Sequence, residues 1–398
     1  MSNFNRRSFL KFLGVGAGVA VGTRLGGHGF LGEARAQKVD GRPALLLIHL
    51  GGGYNAIFGS PEPFLNKQNF GGVTANNTFR LPSGLLVDSV FRDLPAAALA
   101  QMATVGVNHR QSSHDAAKRA GVSDKGVAFP LQLAAAMGGD GAIKCASIGS
   151  PLSSFINGSV GGVSLQPIND VRSTIDTLKG SANLADRAIA GRAFEQAQVM
   201  SAGRIAGSPR SLEPLKNGYD TVIGTLKKAP GDYPFDSIMP AYGLRGTAVN
   251  SFASKLGAAE LMIRAGANVV VSGDGGWDSH GDSDGSRVRN KMRNDIIPAL
   301  KIFLERMWAN DAATPRNVVV CITGDFARSS PGSDHATGVA ATVIGSAIKS
   351  GTTGQTTANV GFDPNLPGGV GLYQLLAAAL KVQNSPFGPN TAHAKLIA

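Results

Sequence analysis

Six short stretches of the chain are apolar almost without interruption: 43–50, 102–107, 142–148, 267–272, 317–323 and 339–344. Most are rich in β-branched residues, and each is followed by Gly, Ser, Asn or Asp. A continuous apolar run, with no polar alternation, suits a strand covered on both faces, as in a parallel sheet. Helical patterns lie between these runs. Residues 252–266 place apolar side chains at three- and four-residue spacing, 287–310 do so over a longer span, and 372–382 read as a late, largely buried helix. Pro298 inside the second pattern predicts a kink or break. Alternating buried strands and helices predict an α/β fold with a mainly parallel sheet flanked by helices. Residues 151–250 carry weaker strand signals and several Pro and Gly breaks, and they read as a largely helical insertion or cap.

Composition narrows the picture. In a chain of 398 residues, 43% hydrophobic content supplies a sizeable core and argues against wholesale disorder. The 53 glycines have no fixed period, which excludes collagen and predicts many tight loops. Aromatics at 6% are too few for stacking platforms along single-stranded nucleic acid. Basic positions 287, 289, 291 and 293 fall on different helix faces and read as a solvated surface, so no nucleic-acid partner is expected. Cys145 and Cys321 both sit in apolar, strand-like runs and read as two separate buried thiols.

The N-terminus carries its own signal. Asn5-Arg6-Arg7-Ser8-Phe9-Leu10-Lys11 sets an arginine pair before a weakly apolar run, 12–23, which is too short to span a ~30 Å hydrocarbon core comfortably. Ala34-Arg35-Ala36 offers small residues around a cleavage point before Gln37. The segment resembles a twin-arginine export signal, with Asn5 where Ser or Thr is usual. The expectation is a removed leader, 1–36, and one domain, 37–398, in the periplasm or secreted. The twin-arginine translocase would be its partner during export, and no stable transmembrane segment would remain after cleavage. The formal charge of +11 falls to +7 without the leader's net +4, leaving a mildly basic protein suited to anionic partners.

Ligands of open α/β sheets gather at the carboxyl ends of the strands. After 43–50 come Gly51-Gly52-Gly53-Tyr54-Asn55, and after 102–107 come Asn108-His109-Arg110-Gln111-Ser112-Ser113-His114-Asp115. After 267–272 come Gly273-Asp274-Gly275-Gly276-Trp277-Asp278-Ser279-His280, and after 317–323 come Gly324-Asp325-Phe326-Ala327-Arg328, then Ser333-Asp334-His335. Carboxylates and imidazoles at one sheet edge suit a hydrolytic metal site, since zinc takes His nitrogen and Asp oxygen. Asp278-x-His280 offers two such groups from one tight loop. The chain contains no Gly-x-Gly-x-x-Gly opening a helix after the first strand, no Walker loop and no HExxH, and Gly149-Ser150-Pro151 and Gly158-Ser159-Val160 do not form a G-x-S-x-G elbow.

The set GGGYNAIF, SSHDA, GGWDSHGD, TGDFAR and GSDH, behind a twin-arginine leader, resembles the domain of unknown function 1501 family, within the alkaline-phosphatase-like (sulfatase-like) superfamily. The resemblance implies an alkaline-phosphatase-like three-layer sandwich. It also implies a divalent metal, zinc or alternatively manganese, at the carboxyl edge of the sheet. Asn55 falls where a first-strand ligand is expected, and Ser113, with Ser112 as alternative, where the nucleophile is. Asp278 and His280 resemble ligands of a first metal, with Asp274 as substitute and His335 as third ligand oriented by Asp334. Asp325 resembles the carboxylate of a second metal. Asn55 in place of a carboxylate, Phe326 in place of a His, Asp325 in place of the closer family's Glu and the tight Asp278-x-His280 spacing are departures that favour one ion over two. The implied activity is exported, metal-dependent hydrolysis of a small phosphate, sulfate or related ester. Ser113 or a metal-bound hydroxide would attack, His114 or His109 would serve as acid or base, and Arg328 would clamp the oxyanion. The alternative is an inactive scaffold that binds a ligand or envelope partner.

Overall fold

The computed structural model describes residues 43–67, 72–139, 143–172, 235–246, 248–282, 284–308, 317–328, 335–357 and 359–398, with a few single positions between them. The expected leader, Asp334 and most of 173–234 lie outside the described residues.

All six apolar runs are strands of one nine-stranded sheet. Its strands are β1 (Ala44–Leu50), β2 (Met102–Val107), β3 (Cys145–Ile148), β4 (Ser159–Val160), β5 (Val163–Pro167), β6 (Val269–Asp274), β7 (Val318–Gly324), β8 (Val339–Ile344) and β9 (Gly351–Thr352). The order across the sheet is β9-β2-β8-β7-β1-β6-β3-β5-β4. Every pair is parallel except β8 with β7 and β2, and β4 with β5. The runs lack polar alternation because both faces are covered; every residue of β1, β2, β7 and β8 is buried. The three unforeseen strands β4, β5 and β9 are short or partly polar and sit at the sheet margins. There water covers part of the backbone and no apolar run is needed. The described start of 151–250 thus adds β4 and β5, and its described end carries the helix Phe235–Ala241.

The helices include α1 (His114–Val122), α2 (Phe129–Ala136), α3 (Phe252–Arg264), α4 (Ser286–Lys291), α5 (Ile297–Met307) and α6 (Gly369–Ala379). Helix α3 packs on β3, β6 and α5, whereas α6 packs on α1, α2 and β2. Ser251 starts α3 through a capping box with Ser254. The expected break at Pro298 is a π-turn over Met292–Ile296, where the Ile297 N–H reaches back to the Met292 carbonyl. The widened turn lets Pro298, which has no N–H, sit in the first turn of α5.

Cys145 and Cys321 are free buried thiols. They lie on β3 and β7, with β1 and β6 between them. No helix among the described residues is long and apolar enough to cross a membrane.

Candidate active site

Strand register assembles the site. The parallel pairing of β1 with β6 and β7 sets His49 level with Gly273 and Thr323, and Leu50 level with Asp274 and Gly324. Asp325 follows directly at this carboxyl edge. Antiparallel β8 begins where β2 ends, Val339 lying opposite Val107. This reversal brings His335, four residues before β8, to the same edge. His335 is also bridged to Arg328, whose short strand Ala327–Arg328 pairs with Tyr54–Asn55.

The glycines after β1 are required by close approach. Gly52 has φ +110°, and a Cβ there would lie 2.5 Å from the Asp278 backbone nitrogen. A Cβ on Gly53, φ +131°, would meet the Arg328 side chain at 2.8 Å. The run GGG therefore makes room for the Asp278 loop and for Arg328. On the β2 side Arg110 turns the chain toward α1 with φ 60°, a left-handed conformation uncommon for a residue with a side chain.

Asp325 is the buried centre of the site, 1% exposed. Its Oδ1 accepts from His49 Nε2 at 2.7 Å. Its Oδ2 accepts from His114 Nδ1 at 2.6 Å and from the Gly52 N–H at 3.1 Å, with Lys118 Nζ 3.8 Å away. Burial pushes this carboxyl up, but the His49 and His114 hydrogen bonds and the Lys118 charge outweigh it. Asp325 is held below the usual carboxylate range and is ionised at neutral pH. Both imidazoles therefore donate to it. With its proton on Nδ1, His114 keeps Nε2 as an acceptor, and that nitrogen faces Arg328 Nη2 at 3.5 Å.

Arg328 lies above this layer, its side chain fully buried. Its Nε donates to the Gly52 carbonyl. Its Nη1 faces His280 Nδ1 at 3.0 Å and Asp278 Oδ1 at 3.1 Å, and its Nη2 faces His335 Nε2 at 3.2 Å and His114 Nε2 at 3.5 Å. The His335 Nδ1–H donates to the Ser112 carbonyl at 2.6 Å, which leaves Nε2 as acceptor. Burial, with the Arg328 charge beside it, outweighs the Ser112 hydrogen bond and holds His335 below the ordinary imidazole range and hence neutral at pH 7. Asp278 accepts from the His280 ring and backbone N–H. Burial pushes the Asp278 carboxyl up, yet the His280 bonds and the Arg328 charge hold it below the usual range. Phe326 stacks on His335 with ring centroids 4.1 Å apart and touches His114 at 4.9 Å, closing one wall.

The sequence-predicted residues separate into three groups. Asp278, His280, His335, Arg328, His114 and Asp325 meet, with the His280 and His335 rings 5.4 Å apart. His109 is beside them but commits both ring nitrogens to backbone: Nε2 to the Asp325 carbonyl at 2.8 Å, and Nδ1 to the Gln111 N–H at 3.2 Å. Burial holds it neutral. Asn55 caps the short helix Ala56–Gly59 by accepting from Ile57 N–H at 3.1 Å. Asp274 turns to Lys291 at 2.8 Å, Lys255 at 3.7 Å and the Trp277 indole at 3.2 Å. Ser112 and Ser113 are exposed, and Ser113 occupies the N-cap of α1 without a side-chain capping bond. His49 and Lys118 escaped the sequence reading. The signal for His49 was its place as the lone titratable side chain in the apolar run 43–50.

The expected metal donors do not fit an ion as arranged. The His335 Nε2 and the Asp278 carboxylate are turned to the Arg328 guanidinium, and the His280 nitrogen beside it, Nδ1, is the one that donates to Asp278. Among the described residues no group of three or more His, Cys, Asp or Glu is arranged to hold one.

Residues 235–382 match the family described as "Protein of unknown function (DUF1501)". The matched segment contributes Asp278, His280, Asp325, Arg328 and His335. The preceding part of the chain supplies His49, His109 and His114. No curated protein and no solved structure matches the chain.

Proposed function

We propose that the protein is an exported hydrolase of a small phosphate, sulfate or related anionic ester, on an alkaline-phosphatase-like sandwich. The observation that carries this reading is the Asp325–His114 pair. A buried ionised carboxylate fixes the tautomer of an imidazole that is itself about a third exposed. The bare Nε2 then opens beside a guanidinium. His114 takes a proton from an attacking water as the water oxygen bonds to the phosphorus or sulfur. The bond to the ester oxygen breaks, and the departing alkoxide receives the proton back from His114. The Arg328 charge, 3.5 Å from His114 Nε2, stabilises the negative charge that develops on the ester. No step runs through a metal, because the donors as arranged do not fit one. The twin-arginine leader and a periplasmic or secreted location belong to the same proposal.

The test is turnover of 4-nitrophenyl phosphate and 4-nitrophenyl sulfate by the full chain. His114→Ala should lower kcat by about 10²- to 10⁴-fold. A wild-type protein inert toward both esters, or a His114→Ala variant as fast as wild type, overturns the reading.

One observation favours the second reading, a scaffold that binds a ligand or envelope partner without turning it over. Every nitrogen of Arg328 already faces a protein acceptor. An incoming oxyanion must displace one of them.

A further inference from the structure

The hydrolase reading uses one face of Asp325; the opposite face carries an imidazole that it does not use. His49 is 2% exposed, in the last turn-free stretch of β1, flanked in register by Gly273 and Thr323. We propose that His49 is a positioning residue: by donating its Nε2–H to Oδ1 of Asp325, it reserves Oδ2 for His114 and so fixes the tautomer of the general base. This inference rests on the proposed role of His114.

A carboxylate has two oxygens and a broad, roughly two-fold torsion about its last bond. Here the two oxygens have different duties. Oδ1 meets His49 at 2.7 Å, while Oδ2 collects His114 at 2.6 Å, the Gly52 N–H at 3.1 Å and the Lys118 ammonium at 3.8 Å. The Asp325 side chain is fully buried, so no bulk water can replace a missing donor on Oδ1. With that donor gone, the carboxylate turns to share its remaining donors between both oxygens. The His114 Nδ1–H bond lengthens, and the free imidazole exchanges its proton between Nδ1 and Nε2. The Nε2–H form cannot accept a proton from water at the mouth of the site. The strand places His49 where this matters, because the β1 register with β7 puts it two levels below Asp325 in the chain-to-chain stack. His109 holds the Asp325 backbone carbonyl at 2.8 Å, so the backbone stays in place when the carboxylate loses its donor.

The experiment uses the full chain labelled with ¹⁵N-histidine, in wild type, His49→Leu and His49→Gln. A long-range ¹H–¹⁵N correlation reads the protonation pattern of the His114 ring, and turnover of 4-nitrophenyl phosphate is measured alongside. Gln carries an amide N–H that can take the place of Nε2–H, and Leu carries none. In His49→Leu the His114 ring should pass from a fixed Nδ1–H pattern to an averaged one. Its kcat should fall by about 10- to 100-fold, with KM within about twofold of wild type. His49→Gln should restore the fixed pattern and bring kcat to within about threefold of wild type. Should His49→Leu fail to fold, His49→Asn takes its place, since its shorter amide falls short of Oδ1. An unchanged His114 spectrum in the donor-free variant overturns the inference, and so does a Gln variant no better than Leu. A wild-type chain inert toward the ester overturns the hydrolase reading instead, and the nitrogen spectra still decide the role of His49.

Discussion

Two buried carboxylates of this protein have the same exposure and opposite company. Glu260 on α3 is fully buried and meets Arg264 at 2.8 Å, Arg306 at 2.8 and 3.0 Å, and the Tyr242 hydroxyl at 2.9 Å. Its main partners are permanently charged guanidiniums that tie α3 to its own next turn and to α5. Asp325 is equally buried, but its close partners are two imidazoles and a backbone N–H. One of those imidazoles is about a third exposed and turns its second nitrogen to Arg328. Burial alone therefore does not mark a working carboxylate. What distinguishes Asp325 is a partner that can move a proton and an opening through which to move it.

The sharpest break of that comparison is Asp325→Asn. The amide can keep one acceptor but donates on its other side, so it competes with the His114 Nδ1–H and favours the wrong tautomer. Turnover of 4-nitrophenyl phosphate should fall by about 10³-fold, roughly 4 kcal/mol of barrier. A fall of less than tenfold in the same assay would remove Asp325 from the mechanism.

Glu260→Leu should show the converse. Two arginines lose their buried counter-charge, and stability should drop by about 3–5 kcal/mol in urea unfolding. The folded fraction should retain kcat within about twofold, because the described partners of Glu260, namely Tyr242, Arg264 and Arg306, all lie away from the carboxyl edge of the sheet. Should Glu260→Leu instead spare stability and abolish turnover, the two carboxylates would have been assigned the wrong way round.

The same contrast explains what could be read from the sequence. The six long strands declared themselves because each is covered on both faces, and coverage leaves no polar position to obscure the run. The carboxyl-edge loops followed from those strands, and with them Asp278, His280, Asp325, Arg328 and His335. Register did not follow. Nothing in the residue order says that β8 runs backwards and thereby delivers His335. Nor does it say that Asn55 caps a turn while Asp274 turns to Lys291. His49 was hidden because it sits inside an apolar run, where a titratable side chain reads as part of the strand. Its meaning comes from Asp325, 276 positions away. The guanidinium of Arg328 stood in the sequence as an oxyanion clamp; in the fold its donors are matched to His, Asp and backbone acceptors of the chain itself.

Arg328 supplies the third test, which sharpens the difference between a cation-filled and an open donor set. In the wild type the guanidinium repels a second cation from Asp278, His280 and His335. Arg328→Met removes the charge and leaves the Asp278, His280 and His335 side chains facing one another. Zinc should then bind at least about tenfold more tightly than to wild type, by titration calorimetry with a competing chelator. Equal or tighter zinc binding by the wild type would show that the guanidinium yields its place to the ion, and would return the metal to the mechanism.

The smallest expected effect concerns Ser113, at the N-cap of α1 one position before His114. Its hydroxyl is exposed and makes no capping bond, so it is chemically free. Freedom alone does not make a nucleophile; an attacking hydroxyl needs its proton taken by a base within hydrogen-bond reach. The His114 nitrogen left bare by Asp325 is turned toward Arg328 Nη2 at 3.5 Å, and the Ser112 carbonyl rather than a serine hydroxyl is what the neighbouring His335 holds. Water reaches the exposed face of His114 directly. Ser113→Ala should therefore keep kcat within about threefold of wild type and lose no more than about 1 kcal/mol of stability, the usual scale for an N-cap residue. A burst of 4-nitrophenol in the wild type that is absent from Ser113→Ala would reverse this. It would show a covalent phosphoryl-serine, and Asp325 would then serve a base that activates the side chain next to it rather than a water.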